Sequence, residues 1–325
     1  MKDGDIENIL PTLVEWAGKG ERCVVATLVW AEGTSPRPPG SQMLISENGQ
    51  SLGYLTGGCA EHAIVAEALA AMRENAPRAV RFGVGSPYLD IQLPCGSGID
   101  VFFDTHPSLQ LAHEILATLD SRVPAALRTS IGAGSQTLIA QSADSPPEVS
   151  EFDRWYYPRR RFLIAGAGPI VDELAVQAMA QGYRIDVLSP DEPTLQRLGA
   201  RDIDATLLSD AGQMAALQPD AYTAAALVFH EHEREPDLLL NLLDSPAFYI
   251  AALGSRGTHQ ARLERLRRIA PAVEGLDRIH GPAGLNIGAA NPSEIAVSIL
   301  AQCVSVYRAQ SIVPLHYRGP ALTHV

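Results

Sequence analysis

The chain has 325 residues, of which 46% are hydrophobic and 19% charged, with a formal net charge of -12 and a pI of about 5.2. That length suits about two domains of ordinary size, and the composition suits a globular protein with a full core rather than a disordered one. The acidic balance lacks the basic footprint of a duplex-binding protein, so nucleic acid is excluded as the expected partner. An anionic small ligand stays open, because backbone N–H groups and one or two arginines can hold a phosphate inside an acidic protein.

In chain order, residues 6–16 predict an amphipathic helix, and 23–30 (CVVATLVW) an apolar, β-rich buried strand. The turn-rich GTSPRPPGS of 33–41 follows, then a hairpin of strands 42–46 and 52–56 joined at ENGQ. The hairpin runs through Gly57-Gly58-Cys59 into a helix over 61–74, rich in alanine, glutamate and leucine. Residues 79–82 and 99–103 read as strands, with PCGSG (94–98) as the turn before the second, and 123–139 as a strand-and-turn stretch without helix. QSADSPPEVSE (141–151) is polar and aperiodic and carries a Pro-Pro pair, so it is the expected linker.

Beyond residue 161 the pattern changes to alternation. Strands are expected at 161–166, 184–188, 205–208, 223–229 and 248–252, and helices at 170–180, 194–198, 236–243, 258–269 and 292–309. Strands alternating with helices imply βαβ units and a parallel sheet. The fold class is therefore α/β: a mixed α/β N-terminal domain over residues 1–145, then a Rossmann-like parallel-sheet domain over 157–325. No apolar run is long enough to cross a membrane, and the N-terminal MKDGDIENIL has no basic n-region followed by an apolar h-region. Cys23, Cys59, Cys95 and Cys303 are scattered, with no CxxC pair and no disulfide framework. A cytoplasmic protein with no membrane partner is expected, in which a functional cysteine would be a free thiol.

Two segments carry chemistry. In the first, Thr34, Ser35 and Arg37 offer hydroxyls and a guanidinium on a constrained loop. Gly57 and Gly58 expose backbone where a helix begins, and its dipole favours an anion there. Cys59 stands at that N-terminus, a position that favours thiolate; Glu61 follows within a turn, and Cys95 lies in a second glycine turn. Each piece also has an ordinary structural reading, as packing thiol or helix cap.

In the second, FLIAGAGPIVDELA sets Gly166 and Gly168 between strand and helix, as in a dinucleotide fingerprint, but Val171 falls where the third glycine would be. An NAD site would favour an acid at the end of the next strand; here Ser189 ends it and Asp191 lies two residues on. Nucleotide binding and a plain tight turn both fit. Further along, His230, Glu231 and His232 follow a strand, as a metal or cofactor contact or a solvated loop. Gly254-Ser255-Arg256 is another strand-to-helix turn, suited to phosphate or merely tight, and Arg262, Arg265, Arg267 and Arg268 make a basic helix face.

The runs SPRPPGSQMLI and GYLTGGCAE, followed in order by GAGPIVDEL, GYRIDVLSPD, HEHEREPDLLL, YIAALGSRGTHQARLERL and GLNIGAANPSEIAVSILAQ, resemble the XdhC/CoxI family of xanthine dehydrogenase accessory proteins across nearly the whole chain. The resemblance implies a chaperone that binds molybdenum cofactor (molybdopterin) and protects it. It further implies help with sulfuration beside a cysteine desulfurase and delivery to a molybdenum hydroxylase apo-enzyme. It points to Ser35, Arg37, Gly57, Gly58, Cys59 and Glu61 as cofactor contacts, with Cys95 next and Cys59 as the ligand to metal. Gly166, Gly168, His230, Gly254 and Ser255 are the candidates in the second domain. Two departures stand out: Ser189-Pro190-Asp191 where the family often has an acid and then Pro-Arg, and a small Ala60 after GGC. The competing reading is an NAD(P)-dependent oxidoreductase with His230 near a nicotinamide. A homodimer is compatible with either reading.

Overall fold

The structure, a computed structural model, describes residues 8–33, 37–86, 98–132, 134–140, 146–229, 233–310 and 315–317. It divides into two compact units, one of Met1–Pro158 with Val313–Val325 and the other of Arg159–Ile312.

The first unit opens with helix α1 (Leu10–Gly18), then strands β1 (Cys23–Glu32), β2 (Gln42–Ser46) and β3 (Ser51–Gly53). Helix α2 (Glu61–Glu74), β4 (Arg78–Gly83) and β5 (Gly98–Asp104) complete an antiparallel sheet in the order β3-β2-β1-β5-β4. β1 is almost entirely apolar because both of its faces are covered from Cys23 to Val29. Val24, Ala26 and Leu28 pack with Ile64 and Ala68 of α2, whereas Cys23 and Val25 join a separate core. That core includes Leu10 and Leu13 of α1 and Ile115 of α3 (Leu109–Asp120). α3 is an element that the sequence reading does not contain. It starts on an N-cap, with Ser108 Oγ accepting from Leu111 N–H, and buries Ala112, Ile115 and Leu119 on one face.

Strands β6 (Ala125–Ser130), β7 (Gln136–Ala140) and β8 (Glu151–Tyr156) form a second antiparallel sheet. β7 and β8 both pair with β6. The expected linker at 141–151, whose residues 141–145 lie outside the described ones, is therefore a connection within one sheet. A Pro-Pro pair stops a strand whether or not a domain ends there.

The second unit alternates strand and helix: β9 (Arg161–Gly166), α4 (Pro169–Ala180), β10 (Arg184–Ser189), α5 (Glu192–Gly199), β11 (Ala205–Leu207), α6 (Gly212–Ala216) and β12 (Thr223–Val228). α7 (Glu235–Leu243), β13 (Tyr249–Ala252), α8 (Arg256–Ile269), β14 (Ile279–His280) and α9 (Pro292–Ala309) follow. The sheet is parallel throughout, in the order β11-β10-β9-β12-β13-β14. Counted from β9 that is 3-2-1-4-5-6, the doubly wound Rossmann order with its switch point between β9 and β12. Alternate residues face opposite ways: Phe162, Ile164 and Ala226 pack toward α4 and α9, and Leu163, Ala165 and Leu227 toward α7 and α8. The chain then returns to the first unit, where β15 (Leu315–Tyr317) pairs with β8. Among the described residues, no helix is long and apolar enough to cross a membrane.

Candidate functional site

The hairpin of the first unit ends at Gly53, whose φ of +84° and position leave no room for a side chain: a Cβ there would lie 2.5 Å from the Gln42 carbonyl oxygen. β3 therefore stops at Gly53, short of the 52–56 expected from sequence. The chain swings outward through Tyr54 and returns at Ala60. Leu55 and Ala60 anchor the two ends of this loop in the core beside Ile64, and Gly57, Gly58 and Cys59 between them are exposed.

The loop is held from inside by Glu61. Its Oε1 accepts from the N–H groups of Leu55 (3.2 Å), Thr56 (2.8 Å) and Gly57 (3.1 Å). Its Oε2 accepts from the N–H groups of Gly58 (2.8 Å) and Ala60 (3.2 Å) and from the Thr56 hydroxyl (2.6 Å). Gly57 (φ +81°) and Gly58 (φ +119°) supply the left-handed backbone that turns these donors inward. Burial pushes the Glu61 carboxyl up, but the bonds from the Thr56 hydroxyl and from the Thr56 and Gly58 N–H groups outweigh it and hold the group below the ordinary carboxylate range. The donors that the glycine motif offers to a ligand anion are thus met by the protein's own carboxylate. What the loop presents outward is the free thiol of Cys59, which is exposed, unlike the buried Cys23 and Cys303. Burial pushes those two thiols up to about 11 and about 12.

Arg37, half-buried, lies with its guanidinium over the Tyr54 ring at 5.5 Å, and its buried Nε has no hydrogen-bond partner among the described residues. The loop that enters this hairpin thus carries a cation, Arg37, and the loop that leaves it an exposed aromatic face and an exposed thiol. Tyr54 and Thr56 are absent from the candidates named from sequence. The signal for Thr56 is a Thr five residues ahead of a first-turn Glu, whose carboxylate its hydroxyl reaches across the glycine turn. Ser35, Cys95 and His230 lie outside the described residues. No group of three or more metal-ligating side chains occurs among the described residues.

In the second unit, Gly166 ends β9 at the switch point. A Cβ there would stand 2.0 Å from the Val228 carbonyl oxygen of β12, so only glycine fits. Gly168 is the N-cap of α4. Gly254 (φ +140°) follows β13 at the same C-terminal edge of the sheet, with Thr258 against it. Ser255 caps α8, its Oγ accepting from Thr258 N–H at 3.1 Å. Arg262, on the expected basic face, is instead buried: its Nε donates to Glu235 at 2.9 Å and so ties α8 to α7.

These features define a two-unit α/β protein: an antiparallel N-terminal unit that presents a thiol on a carboxylate-braced loop, and a Rossmann unit with a 3-2-1-4-5-6 sheet. The XdhC and CoxI family model matches residues 16–83 and the XdhC Rossmann domain model residues 162–303. The chain is 32% identical to the molybdenum cofactor insertion chaperone PaoD of Escherichia coli (strain K12), over 93% of this chain and 89% of that one. It is 23% identical to a probable xanthine dehydrogenase subunit of Bacillus subtilis (strain 168), covering 95% and 100% of the two chains. A crystal structure described as a xanthine dehydrogenase from Bacillus halodurans superposes with a TM-score of 0.77 at 25% identity, over 95% of this chain and 97% of that one. The chain belongs to the XdhC and CoxI family.

Proposed function

We propose that this protein is a cytoplasmic molybdenum cofactor insertion chaperone. It takes up molybdenum cofactor as cargo and shields it. It supports sulfuration beside a cysteine desulfurase and passes the cofactor to a xanthine-dehydrogenase-type apo-hydroxylase. Membership of the family and the likeness to PaoD support the class of activity. The observation that carries the site is the exposed thiol of Cys59 on a loop braced by six hydrogen bonds to Glu61.

The donor set suits such a cargo. A thiolate is a soft ligand matched to a molybdenum–sulfur centre. Arg37 meets the negative charge of a phosphate, and the Tyr54 face can stack a planar ring. In this reading Cys59, Arg37 and Ser35 contact the cargo. Gly57 and Gly58 let it approach the backbone, while Glu61 fixes the loop and makes no contact.

The experiment is a transfer assay. Cofactor-free hydroxylase is mixed with molybdenum cofactor in the presence and absence of the full chain, and activity is followed. The chain is expected to raise both the rate and the final extent of activation, and to raise them further with a cysteine desulfurase and cysteine present. Activation indifferent to the chain would overturn the reading.

A further inference from the structure

We infer that Thr194 closes the dinucleotide turn of the second unit, so that this Rossmann sheet excludes nicotinamide and flavin adenine dinucleotides from the position its strand order would otherwise give them. The sheet order implies such a ligand, with its diphosphate on the glycine turn at the start of α4 and its ribose at the end of β10. The residues present do not fit it at four points.

The N–H of Gly168, the second glycine of the turn, donates to Thr194 Oγ1 at 2.9 Å, so a hydroxyl sits at hydrogen-bond distance where a diphosphate oxygen would approach. Thr194 is fully buried and cannot swing away freely: its hydroxyl donates to Asp191 Oδ2 at 2.6 Å, and its N–H donates to the same oxygen at 2.9 Å. Asp191, the residue placed to bond a ribose, is thereby engaged as the N-cap of α5, and Ser189 at the strand end is buried. The third-glycine place, where close packing of helix on strand is needed, holds Val171, fully buried in the core.

Charge works the same way. Asp172, in the first turn of α4, already answers the positive end of the helix and is bonded by Arg197 Nε at 2.5 Å. The other arm of Arg197 donates to Thr194 Oγ1 at 3.0 Å. A diphosphate would have to displace a neutral hydroxyl that is bonded on three sides and settle beside Asp191 and Asp172, whose two negative charges Arg197 only half offsets.

The test is titration of the full chain with NADH and with NADPH, followed by nucleotide fluorescence, with inorganic pyrophosphate as competitor. Wild type and Thr194→Ser, which keeps the hydroxyl, are expected to show no saturable binding up to about 1 mM. Thr194→Ala, which frees the Gly168 N–H, is expected to bind at least about tenfold more tightly than that limit, with pyrophosphate competing. Should Thr194→Ala not fold, Asp191→Ala is read with inorganic pyrophosphate alone, since it removes the acceptor that holds the hydroxyl in place but also the group that would bond a ribose; saturable pyrophosphate binding absent from wild type is expected. Saturable binding to wild type would overturn the inference, and so would folded opened variants that stay as inert as wild type.

Discussion

The glycine turn ahead of α2 and the one ahead of α4 start from the same chemistry and end in different states. Both contain left-handed glycines, and in both a side chain of the protein accepts from a glycine N–H. Ahead of α2 the acceptor is a carboxylate on the helix itself, so Glu61 gathers five N–H groups from within and the apex stays in solvent with its thiol. Ahead of α4 the acceptor is a hydroxyl from the next helix, backed by Asp191, and the turn is sealed against its neighbours. A glycine turn at a helix start is therefore a ligand site only after its own donors have been accounted for.

The contrast can be broken by adding one methyl group to each turn. Gly166→Ala drives a Cβ to 2.0 Å from the Val228 carbonyl, a backbone atom that cannot step aside. A loss of more than about 4 kcal/mol is expected, enough to unfold the second unit. Gly58→Ala meets nothing within 4 Å and bears only the strain of its positive φ, on the order of 1–3 kcal/mol. Urea denaturation of both variants checks this, and equal losses would show that the two turns are constrained alike.

Acid–base behaviour sharpens the comparison. Burial raises the Asp104 carboxyl of the first unit from 3.8 to about 6, against the bonds it accepts from His106 N–H and Gln136 Nε2 and the nearby charge of His106. The folded state then holds a proton that the unfolded state has released. The first unit loses stability as pH rises from about 4 to about 6, by roughly 3 kcal/mol in all. In the second unit, burial lowers His280 and, with Arg262, His259, below 6.5. There the unfolded state binds the extra protons, so stability falls as pH drops below about 6.5. Hydrogen exchange followed separately in the two units between pH 4.5 and 6.5, corrected for intrinsic rates, should show slopes of opposite sign. Asp104→Asn should flatten that of the first unit, and parallel slopes in wild type would contradict the assignment.

Much of this is legible in the residues. Alternation from 161 onward specifies the parallel sheet, and FLIAGAG places its first turn correctly, because a strand that must meet another strand's carbonyl at its end tolerates only glycine. α3 is legible too, through Ser108 and the 112, 115, 119 spacing, although the reading of 123–139 as helix-free leaves the segment before it without an element. Other features are not readable. The return of β15 to pair with β8 joins residues more than 150 positions apart, and no local pattern encodes it. The closure of the two turns by Glu61 and Thr194 depends on where a side chain points once the backbone is folded, and a motif names only the backbone. In the sequence, Arg262 looks like one of four surface arginines. Only the packing of α7 on α8 reveals that it meets Glu235 in the interior.

The measurement that bears most directly on the account is cofactor retention. The full chain is loaded with molybdenum cofactor, passed through a desalting column, and assayed for molybdenum and pterin per chain as wild type, Cys59→Ala and Glu61→Ala. Wild type should retain both. Cys59→Ala should lose on the order of tenfold or more at an unchanged melting temperature, since removing even a supporting residue of a metal site costs that much. Glu61→Ala should lose retention together with some stability, because the loop is freed rather than the contact deleted. Full retention by Cys59→Ala would contradict the account and remove the thiol from the site.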